Sequence, residues 1–542
     1  MSINTILYNA NIYTVNPAQP RATAMAISHG RIVAVGSDSD VSNIVLPDLQ
    51  RTDMHGGFVL PGLIDAHLHL EWTGYDLQRV RVYDIARIDE AIAIVRARAQ
   101  DTPPGKWITG RGWKQSDWGG ELPTAAHLNA ATADHPVFLN SRSGHSGWAN
   151  SMALQLAGVD KHTPNPQGGE IVRDAQGNPT GLFLETAMNL IGKHIPSPTP
   201  QEAEDATLLA MREMNKKGLT GVHCMDGDGG IQTFGTYQRL REQRLSSLRV
   251  VKMLPVQALD EVVGAGLRSG FGDAWLRIGG IKVFVDGALG PKSASMVEGY
   301  VGEPNNHGID IYDRETLTEF AIKAFQNGLS VVTHAIGDRA NHDILDAYEV
   351  GLRETTDDRR PTTVSGGRSS VVGGLRNRIE HAQVLQPTDI PRFAQMGVIA
   401  SMQPIHATSD MKMVDAYWGP RGRYAYAWRD LLNSGAVLAL GSDAPVESFD
   451  PLVGIHAAVT RQRADGTPEG GWYPKQRLTM AEAIYGYTLG AAYAGYSEHE
   501  LGSIEVGKLA DLTVLSHDLT QIAPSDILNV QVKQVMVDGV WR

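Results

Sequence analysis

Eight short apolar segments, spaced by stretches of helical pattern, constrain this chain more than any other feature. They cover residues 60–70, 219–225, 248–254, 277–286, 329–334, 378–381, 398–402 and 437–443. Strands that alternate with helices form parallel sheets, and eight such units predict an α/β chain built on a TIM-type (β/α)8 barrel. In that architecture the chemistry collects at the C-terminal ends of the strands.

Two irregularities set the domain plan. About 150 residues separate the first segment from the second, far more than one βα connection holds, so an inserted subdomain is expected over 71–218. Within it, 170–174 and 180–185 flank the turn Ala175-Gln176-Gly177-Asn178-Pro179 and predict a hairpin. The N-terminal residues read as short strands, and the C-terminal ones end in a hairpin with Asp538-Gly539 as its turn. Residues 1–60 plus 497–542 are therefore expected to form one small β-sandwich domain, leaving 61–70 plus 219–496 for the barrel. The Ser-, Thr-, Gly- and Arg-rich stretch 355–374 reads as a mobile surface loop.

Bulk composition narrows the partners. A net charge of −12 without any basic run argues against nucleic acid or an anionic membrane surface. No segment reaches about 18 uninterrupted apolar residues, and the single cysteine, Cys224, fits a reducing compartment. The expectation is a soluble cytoplasmic protein that acts on a small molecule.

Polar residues close the apolar segments where a barrel would gather them. In Ile64-Asp65-Ala66-His67-Leu68-His69, alternation turns Asp65, His67 and His69 to one face. Chance supplies about 0.6 His-x-His pairs in a chain with 18 His, so the pair needs its context. His334 closes the fifth segment, His381 the sixth and Asp443 the eighth. Lys282 stands inside the apolar run Ile281-Lys282-Val283-Phe284-Val285, where burial penalises its charge. An ion pair with Asp286 and a carboxylated, metal-bridging lysine both remain open on spacing alone.

The ordered set of motifs resembles the amidohydrolase superfamily, and within it the YtcJ-like branch that includes N-substituted formamide deformylases. It runs from Pro61-Gly62-Leu63-Ile64-Asp65-Ala66-His67-Leu68-His69 through Gly110-Arg111-Gly112-Trp113, Gly144-His145-Ser146-Gly147-Trp148 and Lys282-Val283-Phe284-Val285-Asp286-Gly287. It continues with Thr333-His334-Ala335-Ile336-Gly337-Asp338, Ile379-Glu380-His381-Ala382-Gln383 and Gly441-Ser442-Asp443-Ala444-Pro445, and ends in Leu501-Gly502-Ser503-Ile504-Glu505-Val506-Gly507.

The resemblance implies a site with two divalent ions, zinc first among the candidates. His67, His69 and Asp443 would hold one, His334 and His381 the other, and carboxylated Lys282 would bridge them. It also implies hydrolysis of an amide-like C–N bond, with Asp443 as general base and then acid. His145 is expected to assist catalysis or bind substrate, and Trp72 and Trp113, with Trp118, to line an apolar pocket. His223 and Cys224 end the second segment, and a cysteine ligand there would follow the related D-aminoacylases. The rivals are a deaminase of an aminated heterocycle, disfavoured by the lack of a glutamate after His334, and a metal-free scaffold, disfavoured by the intact ligand set. A homodimer is the family expectation.

Overall fold

Parallel strands covered on both faces are largely buried, and the eight central strands are, polar residues included. The computed structural model describes residues 4–83, 85–142, 144–227, 232–356 and 374–542. Its barrel strands are β1 (Leu63–Leu68), β2 (Leu219–Cys224), β3 (Arg249–Pro255), β4 (Leu276–Phe284), β5 (Val331–Ala335), β6 (Arg378–His381), β7 (Ile399–Met402) and β8 (Leu438–Leu440). They lie side by side in sequence order, each neighbour parallel.

The ring closes just beyond the end of β8. Asp443 N donates to His67 O at 2.7 Å, and His69 N to Ala444 O at 2.8 Å. The buried Asp65 carboxylate fastens the same seam, its Oδ1 accepting from His67 N at 3.0 Å and Ser442 N at 3.1 Å. Gly441 is required there, because a Cβ would lie 2.5 Å from His67 N and 2.6 Å from Asp65 Oδ1. Ile64 and Ala66 point outward, packing with Ala491 and Ala492, as the alternation of β1 predicts.

Both termini build the small β region. One sheet holds Thr5–Tyr8, Ala24–Ser28, Arg31–Gly36 and Gln50–Asp53. In the other, Phe58–Pro61 pairs antiparallel with Leu512–Leu515, which pairs with Val532–Val537. Leu7, Ile12, Met25, Val59, Leu512 and Met536 share one core. The final turn has left-handed backbone at Asp538 (φ 57°) and Gly539 (φ 72°), which suits a tight hairpin. Arg249 at the start of β3 clamps this region to the barrel through a buried pair of bonds to Asp511, at 2.6 and 2.8 Å.

A second compact unit spans Tyr75–Ala203, narrower than the 71–218 expected. The helices at either edge explain the difference. Gly74, in helix Leu70–Gln78, approaches the carbonyl of Ala206, in helix Pro200–Lys216, so closely that a Cβ would sit 2.1 Å from it. The unit carries a mixed sheet in which Ile108–Trp113 and Val137–Ser141 are parallel and the expected hairpin, Gly169–Arg173 with Pro179–Glu185, is antiparallel. The stretch 355–374, apart from its ends, falls outside the described residues. Among the described residues no helix is long and apolar enough to cross a membrane.

Candidate metal centre

The strand ends deliver their polar groups to one cavity of about 320 Å³, lined among others by His67, His69, Lys282, His334, His381 and Asp443. The tightest grouping is His67, His381 and Asp443, whose ligating atoms lie within 4.8 Å of one another. It crosses the two subsets implied by the family resemblance. The rings of His67 and His381 are 4.8 Å apart, and those of His334 and His381 4.7 Å. Asp443 Oδ1 stands 3.3 Å from His67 Nε2 and 3.5 Å from His69 Nε2.

Backbone conformation helps aim the ligands. His381 (φ 70°) and Asp443 (φ 61°) both adopt the left-handed region that side chains other than glycine seldom occupy. Such strain persists only where surrounding bonds impose it, and it clusters at functional sites.

Each imidazole is oriented by a second group. His67 Nδ1 donates to Glu380 Oε2 at 2.5 Å, and His381 Nδ1 to Gln403 Oε1 at 2.8 Å, which leaves the Nε2 atom of each for the cavity. His334 Nε2 donates to Gly287 O at 3.0 Å, leaving Nδ1 as its lone pair. His69 Nδ1 faces Asp226 Oδ1 at 3.5 Å. Asp226 is itself held by Tyr237 Oη at 2.9 Å and by Glu71 N at 2.8 Å. Imidazole ligands fixed in this way are typical of metal sites.

The electrostatics suit a cation. Burial, reinforced by the Lys282 charge, pushes His334 down to about 3. Burial, with His334 and His67 nearby, holds His381 well below its ordinary value. Both are neutral near pH 7, as metal ligation requires. Burial raises the Asp443 carboxyl, but bonds with His67 and His69 outweigh it and hold the group well below the usual carboxylate range. Burial depresses His69, yet Asp226 and Asp443 carry it up to about 9, so this corner draws positive charge. The neutral imidazoles of His334 and His381 and the ionised Asp443 carboxylate form a donor set that fits a divalent ion.

Lys282 is buried on β4 and lines the same cavity, with Nζ 4.8 Å from the Phe284 ring centre. The Asp286 carboxylate accepts from the backbone amides of Ser295, Ile336 and Gly337, at 2.9, 3.0 and 2.8 Å, and so anchors the loops beyond β4 and β5.

Below the ligands runs a buried polar chain that sequence reasoning missed. Arg378 Nε donates to Glu380 Oε1 at 2.6 Å, and its other nitrogens reach His223 Nδ1, Ala66 O and Ser401 Oγ. Burial raises Glu380, but Arg378 and His67 overcome it and keep the carboxylate ionised. The signal lay in Arg378-Ile379-Glu380-His381, a fully buried strand with two charged residues.

The structure gives several of the expected residues a setting of their own. His223 accepts from Arg378 beneath the site rather than joining the ligands. Cys224 is a buried thiol against Asp226 and Tyr237, pushed up to about 12 chiefly by burial. Trp72 is 44% exposed, lines the cavity and lies edge-on to His69 at 5.3 Å. Trp113, at 1% exposed, lies in the Tyr75–Ala203 unit: its ring stacks on Trp118, its Nε1 donates to Leu139 O, and it lines a pocket there with Lys114 and Ser141. In that unit His145 is exposed and its Nδ1 lies 3.0 Å from Glu185 Oε2, while Asn150 caps the helix that follows.

Comparison with known proteins agrees with this geometry. Residues 50–541 match the family model described as "Amidohydrolase family". The chain is 35% identical to Protein LONG AFTER FAR-RED 3 of Arabidopsis thaliana over 94% of this chain and 87% of that one. It is 31% identical to the putative amidohydrolase YtcJ of Bacillus subtilis over 99% of both chains. With the N-substituted formamide deformylase of Arthrobacter pascens it shares 30% identity over 99% of this chain and 98% of that one. Among solved structures, an uncharacterized metal-dependent hydrolase from Pyrococcus horikoshii superposes with a TM-score of 0.77 at 28% identity, covering 96% of this chain and 99% of that one. A barrel with histidines and an aspartate at its strand ends, matched nearly end to end by these relatives, places the chain in the amidohydrolase family, on its YtcJ-like branch.

Proposed function

We propose that the protein is a zinc-dependent hydrolase that cleaves the C–N bond of an amide-like small molecule, with an N-substituted formamide as the first substrate to try. The carrying observation is the convergence of His67, His381 and Asp443 in a cavity also lined by His69, Lys282 and His334. The resemblance to a formamide deformylase over the whole chain supports the choice of bond.

Zinc held by His67, His69, His334, His381, Asp443 and a carboxylated Lys282 would supply a nucleophilic hydroxide near neutral pH and polarise the carbonyl. Asp443 is the proton carrier of the chain. Its Oδ1 is directed at His67 and His69, and its Oδ2 lies on the side of His406, 3.7 Å from Nε2. In this reading the carboxylate takes the proton of the attacking water and returns it to the leaving nitrogen. Trp72 gives the cavity an apolar edge beside His69.

The test is direct. Protein purified with zinc is expected to hold about two ions per chain and to hydrolyse members of a panel of N-formyl and N-acyl amines. About one ion, with activity on aminated heterocycles instead, would favour the deaminase; a chain that binds no metal and turns over nothing would favour the scaffold.

A further inference from the structure

The cavity has a wall that the ligand set leaves over. His406, in the first turn of helix Pro404–Tyr417, is 7% exposed, and its Nε2 has no hydrogen-bond partner although it lines the cavity. Its ring lies parallel to that of His381, 5.9 Å away. One turn further along the helix, Asp410 lines the same cavity, and Glu447 does so from the loop after β8. Gln383, just past β6, contributes a buried Oε1 that also lacks a partner.

This wall offers the unpartnered Gln383 Oε1 and His406 Nε2 and the carboxylates of Asp410 and Glu447. Tyr426 Oη donates to Asp410 Oδ2 at 2.6 Å, and among the described residues neither Asp410 nor Glu447 forms an ion pair with Lys or Arg. Burial raises the pKa of both carboxyls, and the neighbouring His406 and the hydroxyls of Tyr426 and Ser409 only partly offset it. The apolar wall of the cavity is formed by Trp72, Phe284, Leu289 and Ile336. A metal ion does not explain the acidic side: among the described residues, neither Asp410 nor Glu447 belongs to the grouping of His67, His381 and Asp443 that could hold one.

We infer that His406, Gln383, Asp410 and Glu447 form a subsite for a protonated amine or amidinium group of the substrate, so that the substrates are amides bearing a second, basic nitrogen. This deepens the hydrolase reading and rests on it, since the scissile amide must occupy the same cavity. A donor-rich cation would satisfy the unpartnered Gln383 Oε1, and His406 Nε2 when that nitrogen carries the lone pair, and would pair with the two carboxylates. The apolar wall would hold the carbon skeleton between that cation and the amide.

Calorimetric titration of the zinc-loaded protein with benzamidine and with its neutral isostere benzamide tests the subsite without reference to turnover. Benzamidine is expected to bind about tenfold or more tightly than benzamide, as one charge-assisted hydrogen bond allows. Glu447→Gln and Asp410→Asn should each shrink that preference severalfold, and the double variant should abolish it, with zinc content unchanged. Equal affinities in the wild type, or a preference that survives in the double variant, would overturn the subsite. The wild-type comparison decides even if a variant fails to fold. A panel of N-formyl amines with and without a basic group separates the two readings. A benzamidine preference with no hydrolysis anywhere would support the subsite and count against amide cleavage. Hydrolysis of neutral formamides with no preference for the basic ones would leave amide cleavage standing and sink the subsite.

Discussion

His67 and Glu380 lie 313 positions apart in the chain, yet Nδ1 of the first donates to Oε2 of the second at 2.5 Å, both fully buried. That bond fixes which nitrogen of His67 faces the ligand cavity. Glu380→Gln is therefore expected to weaken zinc affinity by roughly 10–100-fold, the usual effect of removing a carboxylate that orients a metal-binding histidine. It would also leave Arg378 without its buried countercharge, so the melting temperature should fall too. Competition with a chromogenic chelator and a thermal melt check both; wild-type zinc affinity in the folded variant would contradict the assignment.

Asp443→Asn keeps a side-chain oxygen near His67 but removes the proton acceptor. With amide hydrolysis established on any substrate, kcat should drop by about 10²–10⁴. Full activity in this variant would rule out its role as the proton carrier.

The two tryptophans should part company on substitution. Trp113→Ala removes a ring packed against Trp118 and Trp148, and the expected cost is about 3–5 kcal/mol, felt in the Tyr75–Ala203 unit. Trp72 is partly exposed and lines the cavity, so Trp72→Ala should leave stability within about 1 kcal/mol and change KM. Chemical denaturation followed by limited proteolysis reads the first, steady-state kinetics the second.

Acid sensitivity has a local test far from the metal centre. The Glu482 carboxyl is lowered to about 2, first by its bond with Arg429 and further by the capping bonds with Thr479 at the start of helix Met480–Gly486. A depressed carboxyl stabilises the fold above its unfolded value, near 4.5, and loses that contribution as pH falls toward 2. Glu482→Gln should cost roughly 1 kcal/mol at pH 7, since the pair is partly exposed, and the gap should close between about pH 4.5 and 2. Urea melts of both proteins across that range provide the check; a constant gap would contradict the pairing.

Much of the architecture was legible because it rests on periodicity and spacing. The eight strands appear within a few residues of their expected places, and the terminal hairpin turns at Asp538-Gly539 as its composition predicts. Polar residues that interrupt apolar strands also carried information, which is why Lys282, His334, His381 and Asp443 could be selected before any coordinates. The helices Leu70–Gln78 and Pro200–Lys216 shifted the insert boundary, because which core a helix joins depends on its neighbours and not on its own pattern.

Local sequence thus determined the repeating strand and helix units, the family and the principal ligand candidates, since those depend on side-chain alternation and on motifs read along the chain. Tertiary structure alone decided the hydrogen-bond partners of the site histidines, the burial of Trp113 and the placing of His406 beside Asp443. Those outcomes are set by contacts between residues far apart in sequence, made only when the barrel closes, and by a left-handed backbone at His381 and Asp443 that no alternation rule anticipates.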